Sequence, residues 1–414
     1  MATYHIETYG CTSNRGESRQ IERRLRDAGH HRVDGPDEAD VAILNTCTVV
    51  EKTERNMRRR AEELEAATAD LVVTGCMALA QGEQFEDLDA RLCHWEDVPT
   101  AVTNGECPTT TPDTEPVLDG IVGILPIARG CMSNCSYCIT KFATGRVDSP
   151  PVAANVETAR ALVHAGAREL RVTGQDTGVY GWDTGERKLP ELLDRICDID
   201  GEFRVRLGMA NPGGVHGIRA ELADVFARND ELYDFVHLPV QSGSDDVLEA
   251  MRRQHRIEEF REVVAAFDDR LDHWTLATDV IVGFPTETRA DHQQSMELLG
   301  DVRPERINIT RFSKRPGTDA ADMQGLGGTV KKERSKAMTD LKMEVCRDAH
   351  AGMVGETHEV LVVREGTGDS VKCRDEAYRQ VVVTDAEERG VAVGDVLDVE
   401  ITANEAVYCF GEPA

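Results

Sequence analysis

Long apolar runs are absent from the sequence, and so is the pattern of a secretory signal. No stretch of the 414 residues contains the about 18 consecutive apolar residues that a membrane-spanning helix requires. The first residues lack a basic region followed by an apolar one, which would mark a signal peptide. We therefore expect a cytoplasmic protein with no membrane partner. Because thiols stay reduced in that compartment, the 12 cysteines indicate metal binding or catalysis rather than disulfides.

Lysine is also scarce, and negative charge is in large excess. Only nine of the 47 basic residues are lysine, and the net charge is −28. Such a charge opposes binding to a polyanion, but concentrated salt shortens the range of that repulsion to a few ångströms. We interpret the net charge as a sign that the protein works in concentrated salt. A binding surface for a polyanionic partner is therefore sought in local patches of basic residues. Arg55, Arg58, Arg59 and Arg60 form one such patch, and a solvated helix face is the alternative explanation.

Apolar strands alternate with amphipathic helices over residues 1–104. The expected strands are Tyr4–Thr8, Val41–Leu44 and Leu71–Thr74, and the expected helices are Asn14–Ala28 and Lys52–Ala66. Buried strands that alternate with helices predict a parallel α/β sheet. Residues 105–118 are rich in proline and threonine, which predicts a linker.

The alternation resumes on a larger scale between residue 121 and about residue 345. The expected strands are Ile121–Ala128, Leu170–Thr173, Arg204–Gly208, Phe235–Val240, Thr275–Val282 and Arg306–Thr310. The expected helices include Asn155–Ala165, Leu189–Ile199 and Ile257–Phe267. Six strand–helix units predict a partial (β/α)6 barrel, which falls short of the eight units of a closed barrel.

The pattern of predicted elements changes after a long predicted helix near Lys331–Ala351. Short strands with glycine and aspartate turns between them follow at Glu359–Arg364, Ser370–Arg374, Arg379–Thr384, Val396–Thr402 and Ala406–Phe410. This spacing predicts a small C-terminal β-barrel of about 60 residues.

Three cysteines lie close together after the first strand of the predicted barrel. Cys131, Cys135 and Cys138 provide three thiolates, and each can bind one iron of a four-iron cubane. The fourth iron stays open, much as a catalytic zinc keeps an open position. That iron can chelate S-adenosylmethionine, which an electron from the cluster then cleaves to a 5′-deoxyadenosyl radical. Zinc or incidental thiols are the alternative, but zinc usually takes paired C-x-x-C units or adds histidine.

Three further cysteines each follow a strand of the N-terminal sheet. Cys11, Cys47 and Cys76 are 36 and 29 residues apart, so no local motif connects them. The carboxyl ends of parallel strands converge on one crevice, where these thiols could hold a second cluster. Unrelated buried cysteines are the alternative. We interpret the remaining ones as ordinary thiols, namely Cys93, Cys107, Cys197, Cys346, Cys373 and Cys409.

Polar or glycine-bearing segments follow several barrel strands. They are Thr173–Gly178, His237–Ser244 and Asp279–Pro285. Because the carboxyl ends of the barrel strands surround one opening of the barrel, these segments predict a ligand cavity at that opening. The stretch Arg311–Gly317 is basic and could meet phosphate, and a solvated loop is equally compatible with it.

Taken with the cysteines, these segments resemble the methylthiotransferase family of radical S-adenosylmethionine enzymes over essentially the whole chain. The matching motifs are Ile139–Lys141, Gly174–Thr177, Gly208–Pro212, Pro239–Ser244 and Asp279–Thr288. The Ile-Thr-Lys motif is similar to the motif found in the archaeal and eukaryotic branch of this family. That branch acts on threonylcarbamoyladenosine (t6A) beside the anticodon of tRNA.

The resemblance implies a division into three domains. Residues 1–112 would be a methylthiotransferase domain with the auxiliary cluster. Residues 117–346 would be the radical domain, and residues 347–412 an RNA-binding TRAM barrel. Two [4Fe–4S] clusters are implied, held by Cys131, Cys135 and Cys138 and by the other three cysteines. We assign S-adenosylmethionine binding to Gly174, Gln175, Asp176, Gln241 and Ser242.

The implied reaction is methylthiolation of C2 of t6A at tRNA position 37. The radical would remove hydrogen from C2, the auxiliary cluster would deliver sulfur, and a second S-adenosylmethionine would supply the methyl group. An electron donor and a sulfur source are the other partners implied. The alternative substrates are isopentenyladenosine in tRNA or a ribosomal-protein aspartate. A non-catalytic, metal-stabilised RNA-binding protein is the alternative from a different class.

Overall fold

The computed structural model describes residues 1–48, 51–103 and 116–414. The N-terminal part contains a five-stranded parallel sheet with the order β2-β1-β3-β4-β5. The strands are β1 (Thr3–Thr8), β2 (His31–Arg32), β3 (Val41–Thr46), β4 (Leu71–Gly75) and β5 (Ala90–Leu92). The helices are α1 (Thr12–Asp27), α2 (Glu51–Ala67), α3 (Cys76–Ala80) and α4 (Val98–Val102).

Helices cover both faces of this sheet. All six residues of β3 are buried, and successive side chains of a strand point to opposite faces. Ile43 therefore packs with Ile21 of α1, whereas Leu44 packs with Met57 of α2 on the other face. Burial on both sides explains why residues 41–44 of β3 are all apolar rather than alternating.

The central part is a partial barrel of six parallel strands. They are β6 (Val122–Pro126), β7 (Glu169–Thr173), β8 (Arg204–Leu207), β9 (Phe235–His237), β10 (Thr275–Val282) and β11 (Arg306–Arg311). They form two three-stranded sheets, β6-β7-β8 and β9-β10-β11, which the single bridges Val205–Leu232 and Met209–His237 connect. No pairing joins β6 to β11 within the described ranges, so the barrel is open between them.

Helices surround the outside of the partial barrel. They are α5 (Thr140–Thr144), α6 (Val152–His164), α7 (Leu189–Cys197), α8 (Pro212–Val215), α9 (Arg219–Arg228), α10 (Asp245–Ala250), α11 (Ile257–Asp268), α12 (Arg289–Val302) and α13 (Gly328–Ala351). The largest hydrophobic core of the chain lies between these helices and the strands. Among the described residues, no helix combines the length and the apolar character needed to span a membrane.

The C-terminal part is a closed five-stranded barrel with the order β12-β13-β14-β16-β15. Its strands are β12 (Thr357–Glu365), β13 (Ser370–Asp375), β14 (Gln380–Thr384), β15 (Val396–Asn404) and β16 (Cys409–Pro413), and α14 (Ala386–Arg389) lies between β14 and β15. The barrel has its own core, with Val362, Val381 and Ile401 at its centre. The expected fold class is thus confirmed in its parallel sheet, its partial barrel and its C-terminal β-barrel.

Three of the four arginines in the patch on α2 pair with neighbouring carboxylates. Arg58 pairs with Asp87 at 2.5 Å, and Arg59 pairs with Glu63 at 3.6 Å. Arg60 binds Glu7 at 2.5 Å and Glu63 at 2.7 Å. These pairs favour the solvated-face explanation over a phosphate site.

A buried ion pair connects α2 to the loop after β11. Arg315 donates to Glu54 at 2.6 Å, and the two residues are 5% and 9% exposed. Thr48 and Gln81 donate to the same carboxylate at 2.5 and 2.6 Å. Arg315 is therefore committed to Glu54 rather than open to phosphate.

Replacing Arg315 should destabilise the contact between the N-terminal and central parts. Arg315→Ala leaves the Glu54 carboxylate buried without its cation, which typically costs about 3–5 kcal/mol. We expect the first transition in urea denaturation to move to lower urea by a corresponding amount. Arg261→Ala is the matched control, since its pair with Asp301 is exposed and should contribute less than about 1 kcal/mol. Equal, small shifts for both variants would contradict this assignment.

Candidate functional site

The N-terminal cysteines lie at neighbouring strand ends. Cys47 and Cys76 directly follow β3 and β4, and Cys11 follows β1 after two residues. The register pairs Thr8 with Asn45 and Thr46 with Gly75, so the three strand ends are level with one another. The structure thus brings together three thiols that are far apart in the sequence.

Glycines before two of these cysteines permit the turns that present them. Gly10 has a φ of 133° and Gly75 a φ of 86°, in the region that other residues rarely adopt. A Cβ on Gly10 would meet Asn14 and would come within 3.0 Å of the Cβ of Cys47. A Cβ on Gly75 would collide with Asn45 and the backbone of Thr46. Both positions therefore require glycine for conformation and for space.

Two buried asparagines connect the segments that carry Cys11 and Cys47. Asn14 donates to the side-chain oxygen of Asn45 at 3.0 Å, and Asn45 donates to the backbone oxygen of Asn14 at 2.9 Å. Asn14 also accepts from the backbone N–H of Cys11 at 3.3 Å. Sequence reasoning missed both residues, because their contact joins positions 31 apart in the chain and leaves no local pattern.

The second set of cysteines lies in the loop between β6 and α5. Gly130 has a φ of 72°, and a Cβ there would collide with the backbone oxygen of Arg146. The N–H of Cys131 donates to Gly145 at 3.2 Å, and the Cys131 sulfur accepts from the N–H of Ser133 at 3.3 Å. These contacts fold the loop back on itself, so that its sulfurs lie at the carboxyl end of β6.

Arg253 is a half-buried cation behind this loop. Its guanidinium lies 3.6 Å from the Cys135 sulfur and donates to Asn211 at 2.5 Å and to Pro239 at 2.8 Å. Asn211 in turn donates to Ser133 at 3.3 Å. The arginine therefore ties the cysteine loop to the ends of β8 and β9. Sequence reasoning missed it, because Arg253 stands in an ordinary basic run.

The two sets of cysteines lie next to each other. Helix α3 begins at Cys76 and packs on α5, which begins two residues after Cys138. Burial raises the pKa of the Cys76 thiol, and so does charge repulsion from Glu17, Cys11, Cys47 and Cys138. The thiol of Cys76 is thus within electrostatic range of its own set and of one cysteine of the other.

A cavity of about 190 Å³ separates the N-terminal sheet from the partial barrel beside these thiols. Cys76, Trp95, Ile124, Arg129 and Gln175 are among the residues that line it. Glu17 also faces it, and burial raises the pKa of that carboxyl to about 7. The cavity therefore joins apolar walls with a few polar groups, as small-molecule sites do.

The residues assigned to S-adenosylmethionine divide into two groups. Gly174 and Gln175 line the cavity. Asp176 is 2% exposed and accepts from the N–H of Gly178 at 3.1 Å and of Asn211 at 2.9 Å. Gln241 has a φ of 70° and Ser242 is 1% exposed, and neither lines the cavity.

The residues present fit an iron–sulfur cluster and S-adenosylmethionine. Within the described ranges, no three cysteine, histidine or acidic side chains converge as a single metal ion requires, whereas a cubane binds each cysteine through a different iron. The second carboxylate oxygen of Asp176 is buried and has no hydrogen-bond partner in the described part of the chain. An amino or hydroxyl group of the ligand would satisfy it. Burial raises the pKa of Cys131, and bound iron would offset this by favouring the thiolate.

Two family models match the chain. Residues 125–299 match the radical SAM superfamily, and residues 3–94 match the family described as "Uncharacterized protein family UPF0004". The first match spans the cysteine loop, and the second spans the three scattered cysteines.

Curated relatives extend over nearly the whole chain. A probable threonylcarbamoyladenosine tRNA methylthiotransferase of Archaeoglobus fulgidus is 37% identical and aligns over 99% of this chain and 98% of its own. The chain belongs to the methylthiotransferase family of radical S-adenosylmethionine enzymes. The threonylcarbamoyladenosine tRNA methylthiotransferase of Drosophila melanogaster is 32% identical over 98% of this chain and 77% of its own. The tRNA-2-methylthio-N(6)-dimethylallyladenosine synthase of Chloroherpeton thalassium is 31% identical over 97% of this chain and 94% of its own.

Solved structures share the fold at low sequence identity. The radical S-adenosylmethionine methyltransferase TsrM of Kitasatospora setae, solved with tryptophan and a SAM analogue, superposes with a TM-score of 0.56 at 14% identity. That match covers 77% of this chain and 74% of TsrM. Membership of the family implies a [4Fe–4S] cluster and S-adenosylmethionine as cofactors.

The remaining cysteines lie apart from the cavity. Cys197, Cys346, Cys373 and Cys409 are buried in packed regions, and Cys93 packs with the core around α1 and α4. Cys107 lies outside the described residues.

Adding a side chain at Gly130 should damage the cysteine loop. Gly130→Ala forces a Cβ into the backbone of Arg146 and into a left-handed conformation. After anaerobic reconstitution we expect the iron content to fall by about four per chain. Gly300→Ala is the control, because open space surrounds that position on α12. Unchanged iron in Gly130→Ala would contradict the proposed role of the loop.

Proposed function

We propose that the chain methylthiolates C2 of N6-threonylcarbamoyladenosine at position 37 of tRNA. One observation carries this proposal, namely that two sets of three cysteines lie next to each other, with Cys76 of one set and Gly130, the neighbour of Cys131 in the other, lining a single cavity. A set of three leaves one corner of a cubane open, so two open irons would face one bound base. A radical enzyme that only initiates chemistry needs one such set, and sulfur insertion gives a reason for the second.

When bound, S-adenosylmethionine with the cluster of Cys131, Cys135 and Cys138 supplies a radical that can remove hydrogen from C2, and the other cluster supplies sulfur. Asp176 and Gln175 would hold the S-adenosylmethionine, and two backbone N–H groups fix the position of the Asp176 carboxylate. Cys11, Cys47 and Cys76 hold the auxiliary cluster. The apolar walls around Trp95 and Ile124 exclude water from the reacting atoms.

Arg253 is a positioning residue in this proposal. Its contact with the Cys135 sulfur fixes the loop, and a cationic hydrogen-bond donor beside a cluster sulfur raises the reduction potential of the cluster. Glu17 lines the same cavity as Cys76, and its negative charge contributes to raising the pKa of the Cys76 thiol. We assign it to the wall that the adenine ring meets.

The choice of t6A as the substrate rests on the relatives. Several archaeal relatives at 32–37% identity carry the name threonylcarbamoyladenosine tRNA methylthiotransferase. The tRNA would also contact the C-terminal barrel, residues 347–412, and the reaction would take place in the cytoplasm. An electron donor and a sulfur source complete the list of partners.

The substrate assignment predicts one change in tRNA. In cells without the gene, mass spectrometry of tRNA nucleosides should show the methylthio form of t6A missing and t6A accumulating. Loss of methylthio-isopentenyladenosine instead would contradict the t6A assignment and identify isopentenyladenosine as the substrate. An unchanged nucleoside profile would contradict a tRNA substrate and leave the ribosomal-protein aspartate as the alternative.

The two sets of cysteines predict separable defects. Replacing Cys11, Cys47 and Cys76 together by alanine should lower the iron content from about eight to about four per chain. This variant should still cleave S-adenosylmethionine to 5′-deoxyadenosine but should not form the methylthio product. Alanine at Cys131, Cys135 and Cys138 should abolish both reactions. Zinc in place of iron, or an unchanged iron content in the first variant, would overturn the two-cluster proposal.

A further inference from the structure

The interior of the partial barrel carries a group of arginines below the layer of cysteines. Parallel register places Arg171 of β7 beside Arg206 of β8, two residues before the end of β7 at Thr173. Arg306 is the first residue of β11 and is level with Ala277, which is itself level with His237 at the end of β9. Arg374 comes from β13 of the C-terminal barrel. These four residues are called the interior arginines below.

A turn of the C-terminal barrel closes the lower end of this interior. Asp375 accepts from the backbone N–H of Arg379 at 2.6 Å and from its guanidinium at 2.7 Å. This turn holds Tyr378 at a φ of 60° and inserts its ring between Tyr233 and Phe235, at 4.9 and 5.0 Å between ring centroids. The barrel end that carries the first residues of the strands is thus sealed by aromatic rings.

Three of the interior arginines stack on these rings. The guanidinium carbons of Arg206, Arg306 and Arg374 lie 5.8, 5.3 and 4.6 Å from the centroid of Tyr378. Arg206 and Arg306 also lie 5.0 and 5.3 Å from the centroid of Phe235. Stacking stabilises each cation, but it leaves the positive charge uncancelled.

Carboxylates neutralise only part of this charge. Glu169 binds Arg171 at 2.6 Å, and Asp375 is engaged with Arg379. Across the described residues, Arg206, Arg306 and Arg374 have no carboxylate within salt-bridge distance. The Nε atoms of Arg206 and Arg374 are buried and have no hydrogen-bond partner in that same part of the chain. Unsatisfied donors on adjacent cations are the arrangement that an anion completes.

The ionisation of the group agrees with this geometry. Burial lowers the pKa of Arg206, and repulsion by Arg171 and Arg374 lowers it further. Burial and the charges of Arg374 and Arg206 lower the pKa of Arg306 to about 10. The chain has a net charge of −28, and it nevertheless brings these arginines close together here.

We propose that Arg171, Arg206, Arg306 and Arg374 form an oxyanion-binding site that takes an anionic group of the RNA substrate. This inference rests on the proposed function, since it concerns the RNA that the cavity above would receive. Arg is the residue best suited to the site, because its planar fork can bind two oxygens of one anion.

Two anionic groups of the RNA share this chemistry. One is the carboxylate of the threonylcarbamoyl group, which could reach down from the cysteine layer to Arg171 and Arg206. Arg171 lies two residues before the end of β7 and level with Arg206, and two residues of strand span about 7 Å. The other is a backbone phosphate, which could enter through the opening between β6 and β11. Arg306 and the exposed Asn308 lie on the same face of β11 at that opening.

The test measures binding of two anticodon stem-loop RNAs, one with t6A and one with unmodified adenosine, over a series of salt concentrations. The variants are Arg206→Gln and Arg374→Gln. Arg261→Gln is the control, because its guanidinium pairs with Asp301 on the exposed surface. Unfolding temperatures establish that each variant is folded.

If the site takes the carboxylate, wild-type protein should prefer the t6A RNA by about tenfold, and both variants should lose that preference. If the site takes a phosphate, both RNAs should bind the variants several-fold more weakly. The slope of log affinity against log salt should then fall by about one. Affinities, preference and salt slope equal to those of the control would overturn the proposal.

If the variants do not fold, a measurement on the wild-type protein tests the proposed oxyanion site instead. Inorganic phosphate should raise the unfolding temperature relative to chloride at equal ionic strength, and it should compete with the RNA. Stabilisation without competition would contradict an RNA ligand, and neither effect would overturn the site. Failure of the proposed function is distinguishable, because the wild-type protein would then bind the RNA without forming a methylthio product.

Discussion

The contact between α3 and α5 is the interaction on which the arrangement of the cysteines depends. Helix α3 starts at Cys76, and α5 starts just past Cys138, so packing these short helices brings two strand ends from different sheets together. Helix α1 strengthens the same junction by packing on β6, where Gly16 allows Ile124 to approach. Each sheet alone would present three thiols, and the cavity that Cys76 and Gly130 line lies at the junction of the two sheets.

Much of this arrangement was predictable from the sequence, for a physical reason. Strands such as β3 and β10 contain apolar runs because most of their residues are buried, and a cysteine that directly follows a parallel strand is expected at the carboxyl edge of the sheet. The short strands were missed, because His31 and Arg32 of β2 are exposed and give no hydrophobic signal. Helix α3 was also missed, because its five residues are too few to show the hydrophobic periodicity of a helix.

The parts of the site that were not predictable depend on contacts between distant residues. Arg253 reaches Cys135 across 118 positions of the chain, and Asn14 meets Asn45 across 31. Such contacts leave no local pattern. The interior arginines are a further example, since Arg206 and Arg374 share one tyrosine ring although they come from different barrels.

The distribution of charge follows from the same architecture. Acidic residues dominate the chain as a whole, and the arginine patch on α2 is spent on ion pairs with Glu7, Glu63 and Asp87. Positive charge without carboxylate partners is instead found inside the barrel, where solvent salt screens it less. A polyanionic substrate could thus be attracted locally by a chain that repels it overall.

The central claim is that two clusters face one cavity. The most direct measurement is anomalous diffraction at the iron edge from crystals of the anaerobically reconstituted protein. Our account predicts two iron peaks, one beside Cys131, Cys135 and Cys138 and one beside Cys11, Cys47 and Cys76, on opposite sides of the cavity that Gln175 lines. A single peak, or a second peak away from that cavity, would contradict it.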